Sequence, residues 1–188
     1  MILKVIALFF SFFLLTFSKV TSLSDIKTMN FIVKEEVKNN SDIKTKIYKV
    51  KYILPNQLKK EIIYPEMNKG ELYIYTDGKK ITYLPFFDET TVESGDAEGD
   101  YIVNVVSKIR EKERTDAAFK EKYHKGEISS MQFDKNLRTK FNKFEKVDGY
   151  MIPVEIEIYD GQQMIAKISL SNISLNGVVK QEEFKIKK

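Results

Sequence analysis

Side chains able to do acid-base or nucleophilic chemistry are sparse in this sequence. His124 is the one histidine, and there is no cysteine. A histidine serving a serine nucleophile would call for a Gly-x-Ser-x-Gly elbow or its equivalent, and no such elbow occurs. Its context, Lys-Glu-Lys-Tyr-His-Lys-Gly-Glu, reads as a charged, exposed helix end. One histidine without a thiolate also leaves no zinc ligand set. Glu35-Glu36 and Glu182-Glu183 are adjacent in strand-like segments, so their carboxylates point to opposite faces and make poor acid-base partners. Glu155 and Glu157 share a face, the one opposite the apolar residues, where solvent is the natural neighbour. Asp88, Glu89, Glu93, Asp96, Glu98 and Asp100 form an acidic run, but calcium demands tighter, glycine-placed oxygen ligands. That run reads as an acidic loop. The sequence therefore offers no catalytic, cofactor-binding or metal-binding residue, and the expectation is a protein that is not an enzyme.

The address is legible at the start of the chain. Lys4 precedes an uncharged run from Val5 to Phe17, and Ser18 to Ser22 supplies small residues. A bilayer span needs about 20 apolar residues, so the run suits a secretory leader, residues 1–22, cleaved before Leu23 or after Ser18, with an uncleaved anchor as the competing reading because the small-residue signal lacks alanine. Without cysteine the exported chain is neither a lipoprotein nor a disulfide-stapled domain, and its core alone must hold it together. The formal net charge of +4 is too small for a nucleic-acid footprint. Residues 23–188 are long enough for one domain.

Three blocks follow the leader. Asn30 to Val37 reads as a first strand. From Lys46 to Pro85, four strands alternate apolar and charged residues, with turns at Pro55, Pro65, Asn68-Lys69-Gly70 and Asp77-Gly78. Tyr48, Val50, Tyr52 and Leu54 share one face, as do Leu58, Ile62 and Tyr64, with Lys60 as a flaw on the apolar side. A helical insert is expected over about 97–144. Its first stripe is Ile102, Val105, Val106 and Ile109, and Phe133, Leu137, Phe141 and Phe144 form a second on a basic helix 130–144. The last block returns to strands: Val154, Ile156 and Ile158 alternate with glutamates, and Met164–Leu170 and Val178–Ile186 follow. Hairpin-length joints exclude βαβ units. The expected class is α+β: a curved antiparallel sheet with helices covering its concave apolar face.

The punctuation of this stretch resembles a known pattern. Tyr52-Ile53-Leu54-Pro55, Leu58-Lys59-Lys60, Pro65, Gly70 to Lys80 with its Asp77-Gly78-Lys79, and Tyr83-Leu84-Pro85 are similar to the LolA-like family of periplasmic outer-membrane lipoprotein-sorting proteins. Ile156 to Lys188 resembles the family's closing strands. The resemblance implies an incomplete β-barrel with helices as a lid over a hydrophobic cavity. It also implies a monomeric carrier taking lipoprotein or lipid cargo from an inner-membrane transporter to an outer-membrane acceptor. The cavity would be lined by Tyr48, Val50, Tyr52, Leu54, Leu58, Ile62, Tyr64, Leu72, Ile74, Val154, Ile156 and Ile158, and the lid by Ile102, Val105, Val106 and Ile109. Carriers of the family often place a basic residue before the first proline; Leu54 stands there, with Lys59 or Lys60 as substitutes. The alternative is an envelope interaction or stress-sensing module on the same fold, using Lys135, Arg138 and Lys140 as its contact surface.

Overall fold

A computed structural model of the chain describes residues 22–39, 42–97, 100–133 and 135–186, so the leader expected at 1–22 lies outside the described residues except for Ser22. Ten antiparallel strands form one open sheet. They are β1 (Thr28–Asn39), β2 (Asp42–Ile53), β3 (Gln57–Tyr64), β4 (Leu72–Thr76), β5 (Lys79–Leu84), β6 (Glu89–Ser94), β7 (Ser130–Gln132), β8 (Leu137–Val147), β9 (Tyr150–Asp160) and β10 (Gln163–Leu175). Their spatial order is β6-β5-β4-β3-β2-β1-β10-β9-β8-β7. Two meanders are thus joined by pairing of β1 with β10, Val33 facing Leu170 and Val37 facing Ala166. The edges β6 and β7 are connected through α1 (Tyr101–Thr115) and α2 (Ala117–His124), which carry the chain across one face of the sheet.

Cross-strand rows show how alternation becomes a core. Met29, Tyr52, Leu58 and Tyr75 are successive partners from β1 to β4, and Phe31, Val50, Lys60 and Tyr73 are the next row on the same face. From the other half Ile168, Ile156 and Phe141 line up likewise. The apolar members of these rows and the stripe of α1 make one continuous cluster. The opposite face has its own smaller cover, a 3-10 turn at Gln181–Phe184 whose Phe184 is buried. Lys51 pairs there with the Glu183 carboxylate, and Lys59 Nζ donates to the Glu183 carbonyl at 2.9 Å.

Three expected elements are different. Within the segment expected as a helix, Ser130–Gln132 and the residues from Leu137 onward are strand, so Arg138 and Lys140 do not ride on a basic helix, Lys135 lies between the strands, and the helical insert ends at His124. The cause is a bulge: register shifts on either side of Lys143 bring Phe144 round, so strand positions 137, 141 and 144 mimic helical spacing. Within the acidic run after Pro85, Glu89–Ser94 form β6 rather than a loop, because Ile81 and Thr82 offer a paired edge at Val92 and Thr91. Residues 178–186 add no strand; they cross the outer face and close with the Gln181–Phe184 turn.

Candidate functional site

The sheet face beneath α1 is a continuous apolar surface, and the helices cover it. Asp100 starts the helix, its carboxylate accepting from the N–H groups of Ile102 (2.9 Å) and Val103 (3.4 Å). Ile102, Val103, Val105, Val106 and Ile109 are all buried against the strands. Between helix and sheet a space of about 30 Å³ lies beside Met29, Ile152 and Ile156, and a second of about 240 Å³ lies where Tyr101, Asn104 and Val105 meet Phe133, Leu137 and Ile158. The apolar face that the resemblance assigns to a cavity is thus largely covered by the protein's own helices.

Buried charges pin that helix near both ends. At the start, Lys60 reaches from β3 to the Asp100 carboxylate, its side chain 16% exposed and that of Asp100 7%. The ammonium also stands 4.6 Å from the centre of the Tyr48 ring. Burial is the main cause that pulls the Lys60 ammonium down to about 8, with the field of Glu35 opposing and that of Lys46 assisting. Near the far end, Glu113 is buried with four partners. Oε2 accepts from the Leu23 N–H at 2.7 Å and the Ser22 hydroxyl at 3.2 Å. Oε1 accepts from the Tyr150 hydroxyl at 3.0 Å and meets His124 Nε2 at 2.7 Å. Burial pushes the Tyr123 and Tyr150 hydroxyls well up, so both stay protonated. His124 is therefore not the exposed residue that its charged context suggested. Asp116 makes this possible: it ends α1 and caps α2 through the Phe119 N–H, turning the chain back on itself.

The residues singled out in the sequence divide as follows. Tyr48, Val50, Tyr52, Leu58, Ile62, Val154, Ile156 and Ile158 lie in the apolar cluster under the helices, with Leu54 half-buried at its margin. Ile102, Val105, Val106 and Ile109 face them. Leu72 and Ile74 are on the other face, since Ile74 pairs with Lys59 and Leu72 with Glu61. Tyr64 is 49% exposed; the register shift between Ile47 and Tyr48 sets it opposite Ile47 rather than in line with Ile62. Arg138 covers the Tyr159 ring at 4.8 Å, Lys140 approaches Glu157 at 3.5 Å, and Lys135 is exposed. What the sequence concealed is the polar pair at each end of α1, because each partner is distant in the chain.

An open antiparallel sheet wrapped on a single helix layer, strand order as above, has counterparts among solved structures. A DUF1329 family protein from Desulfovibrio piger matches with a TM-score of 0.59 at 13% identity over 87% of this chain and 91% of that one. A LolA superfamily protein from Nitrosomonas europaea gives 0.58 at 9% identity, covering 85% and 90%. The fold is LolA-like. A structure described as an outer membrane lipoprotein-sorting protein domain, from Vibrio parahaemolyticus, shares it with a TM-score of 0.57 at 15% identity, covering 84% and 88%. Neither a comparison with protein-family models nor one with curated proteins finds a match. At these identities the LolA-like likeness speaks for the fold alone.

Proposed function

We propose that this protein is a carrier of acyl-type apolar cargo, a lipid or a lipidated protein, held on the sheet face that α1 covers. One observation supports the reading above the others: a continuous apolar face of the sheet is covered by the helix layer, and its longer helix, α1, has its polar attachments near its two ends. Magnitudes make exchange feasible. Five aliphatic side chains on α1, at about 1.5–3 kcal/mol each, gain roughly 10 kcal/mol from that face. An acyl chain of about 15 methylenes gains roughly 12 kcal/mol at about 0.8 kcal/mol apiece. Cargo and helix are therefore near-equal competitors for one surface, which suits a protein that must both take up and release. The expected leader places this work in the periplasm, with an inner-membrane donor and an outer-membrane acceptor as exchange partners and no catalytic step. A fluorescent acyl probe titrated into the purified protein, with mass spectrometry of protein isolated from its native envelope, tests this. Saturable binding near one probe per chain and co-purifying lipid are expected; the absence of both would defeat the reading.

A second reading draws support from the filled interior. Phe86, Phe87 and Met67 stand 85%, 68% and 89% exposed beside a groove of about 660 Å³, and exposed apolar clusters of this kind serve as contact surfaces. On that reading the fold is an envelope interaction module and binds no acyl chain. The same titration separates the two.

A further inference from the structure

The buried carboxylate of Glu113 stands where the expected leader ends. Its side chain is 1% exposed and belongs to the last turn of α1. Oε2 accepts the Leu23 N–H at 2.7 Å, inside the protein, and the Ser22 hydroxyl at 3.2 Å. Leu23 is itself buried, and its side chain lines one small space with Ile109, Tyr123 and Tyr150. The residue that follows Ser22 is thus already part of the core, and its backbone nitrogen is aimed at a carboxylate.

We infer that Glu113 is the receptor for the N-terminus that leader removal creates. Hydrolysis of the Ser22–Leu23 amide by a signal-processing peptidase consumes one water. It leaves a carboxylate on Ser22, which departs with the leader, and a primary amine on Leu23, which takes up a proton. An α-amine titrates near about 8 and is mostly ammonium at neutral pH. The neutral N–H on Glu113 then becomes a cation on the same oxygen, and the ion pair ties the Leu23–Asp25 turn to the last turn of α1. This rests on a leader spanning residues 1–22 and is independent of any cargo.

Two features of the site favour a cation there. A carboxylate in the last turn of a helix lies at the negative end of the helix dipole, where positive charge is stabilised. On the other oxygen the Tyr150 hydroxyl is neutral, and His124 answers with charge only when protonated. A hydrogen bond to an ammonium is roughly twice as strong as one between neutral groups. Ser22 is only half-buried, so its loss opens a path to solvent for the protons that Glu113 does not take. Leu23 is 3% exposed, so the cut must come before the domain closes over the bond.

The N-terminal residue of the protein isolated from its native envelope, read by mass spectrometry, is expected to be Leu23. Two chains then isolate the effect of the new terminus. One runs from Leu23 to Lys188, released from a fusion partner with Leu23 as its first residue. The other begins at Lys19, the alternative product, and keeps Ser22 and a neutral Leu23 amide. The chain that begins at Leu23 is expected to melt about 5 °C or more above the other. Its α-amine should be acylated at pH 7 about ten-fold or more slowly than that of Lys19, because Glu113 holds it inside the fold. Glu113→Gln should bring the two melting points to within about 2 °C of each other. If that variant does not fold, the acylation rates of the unmutated chains decide. A native chain that begins at Lys19 or keeps its leader would overturn the inference. So would equal melting of the two chains, or a Leu23 amine acylated as fast as that of Lys19.

Discussion

Lys60 breaks the alternation of β3, and the residue that answers it lies forty positions on. A lysine on the apolar side of a strand is visible in the sequence; that Asp100 caps a helix and receives it is not, since cap and strand meet only in the folded chain. The pair has a consequence for pH. Beneath α1 the Lys60 ammonium titrates near 8 rather than 10.5, because burial penalises its charge. Between those values the open or unfolded chain binds the proton that the closed form lacks, so rising pH favours closure and folded stability. Acyl-probe affinity is accordingly expected to fall by about ten-fold or more from pH 8 to 10.5. Lys60→Met should flatten that fall. A profile that falls equally in the variant would show that another group titrates. Glu113 is the companion case: its carboxylate gathers Leu23, Ser22, Tyr150 and His124 from three separate parts of the chain.

Elements were legible wherever a short turn joined them. The strands from Lys46 to Pro85 follow from alternation and from Asp77-Gly78, both local signals, and the stripe of α1 follows from its spacing. Failure came where a long-range partner decided the outcome. Leu137, Phe141 and Phe144 fit a helix or a bulged strand equally well, and only pairing with β9 selects the strand. Similarly, Glu89–Ser94 is too charged to announce a strand, yet the free edge of β5 makes it one. Tyr64, Leu72 and Ile74 were misplaced for a related reason, since register, not composition, decides the face. The helix layer also differs from the sheet in how it is held. Strands β1, β2, β9 and β10 are hydrogen-bonded on both sides, whereas α1 has only side-chain contacts to the sheet. Hydrogen exchange should therefore find α1 amides opening at a lower free energy than those four strands. Equal protection would mean that helix and sheet open only together.

The whole molecule is an open sheet whose two edge strands are bridged by the element lying on its face. Because β6 leads into α1 and α2 leads to β7, the helices can move outward without unpairing any of the rows around β1 and β10. The fold class was readable from the order of strands, helices and strands; the filled state of the face was not, because alternation marks a surface as apolar without saying what covers it. The central claim is that α1 leaves this face when cargo takes it. The chain has no cysteine, so two introduced thiols are unique labels. Glu111→Cys on the outer side of α1 and Lys49→Cys on the far face of β2 are both exposed. Spin labels at this pair, measured with and without a saturating acyl ligand, are expected to separate by about 5 Å or more, half a helix diameter. Ligand binding with an unchanged distance would contradict the claim.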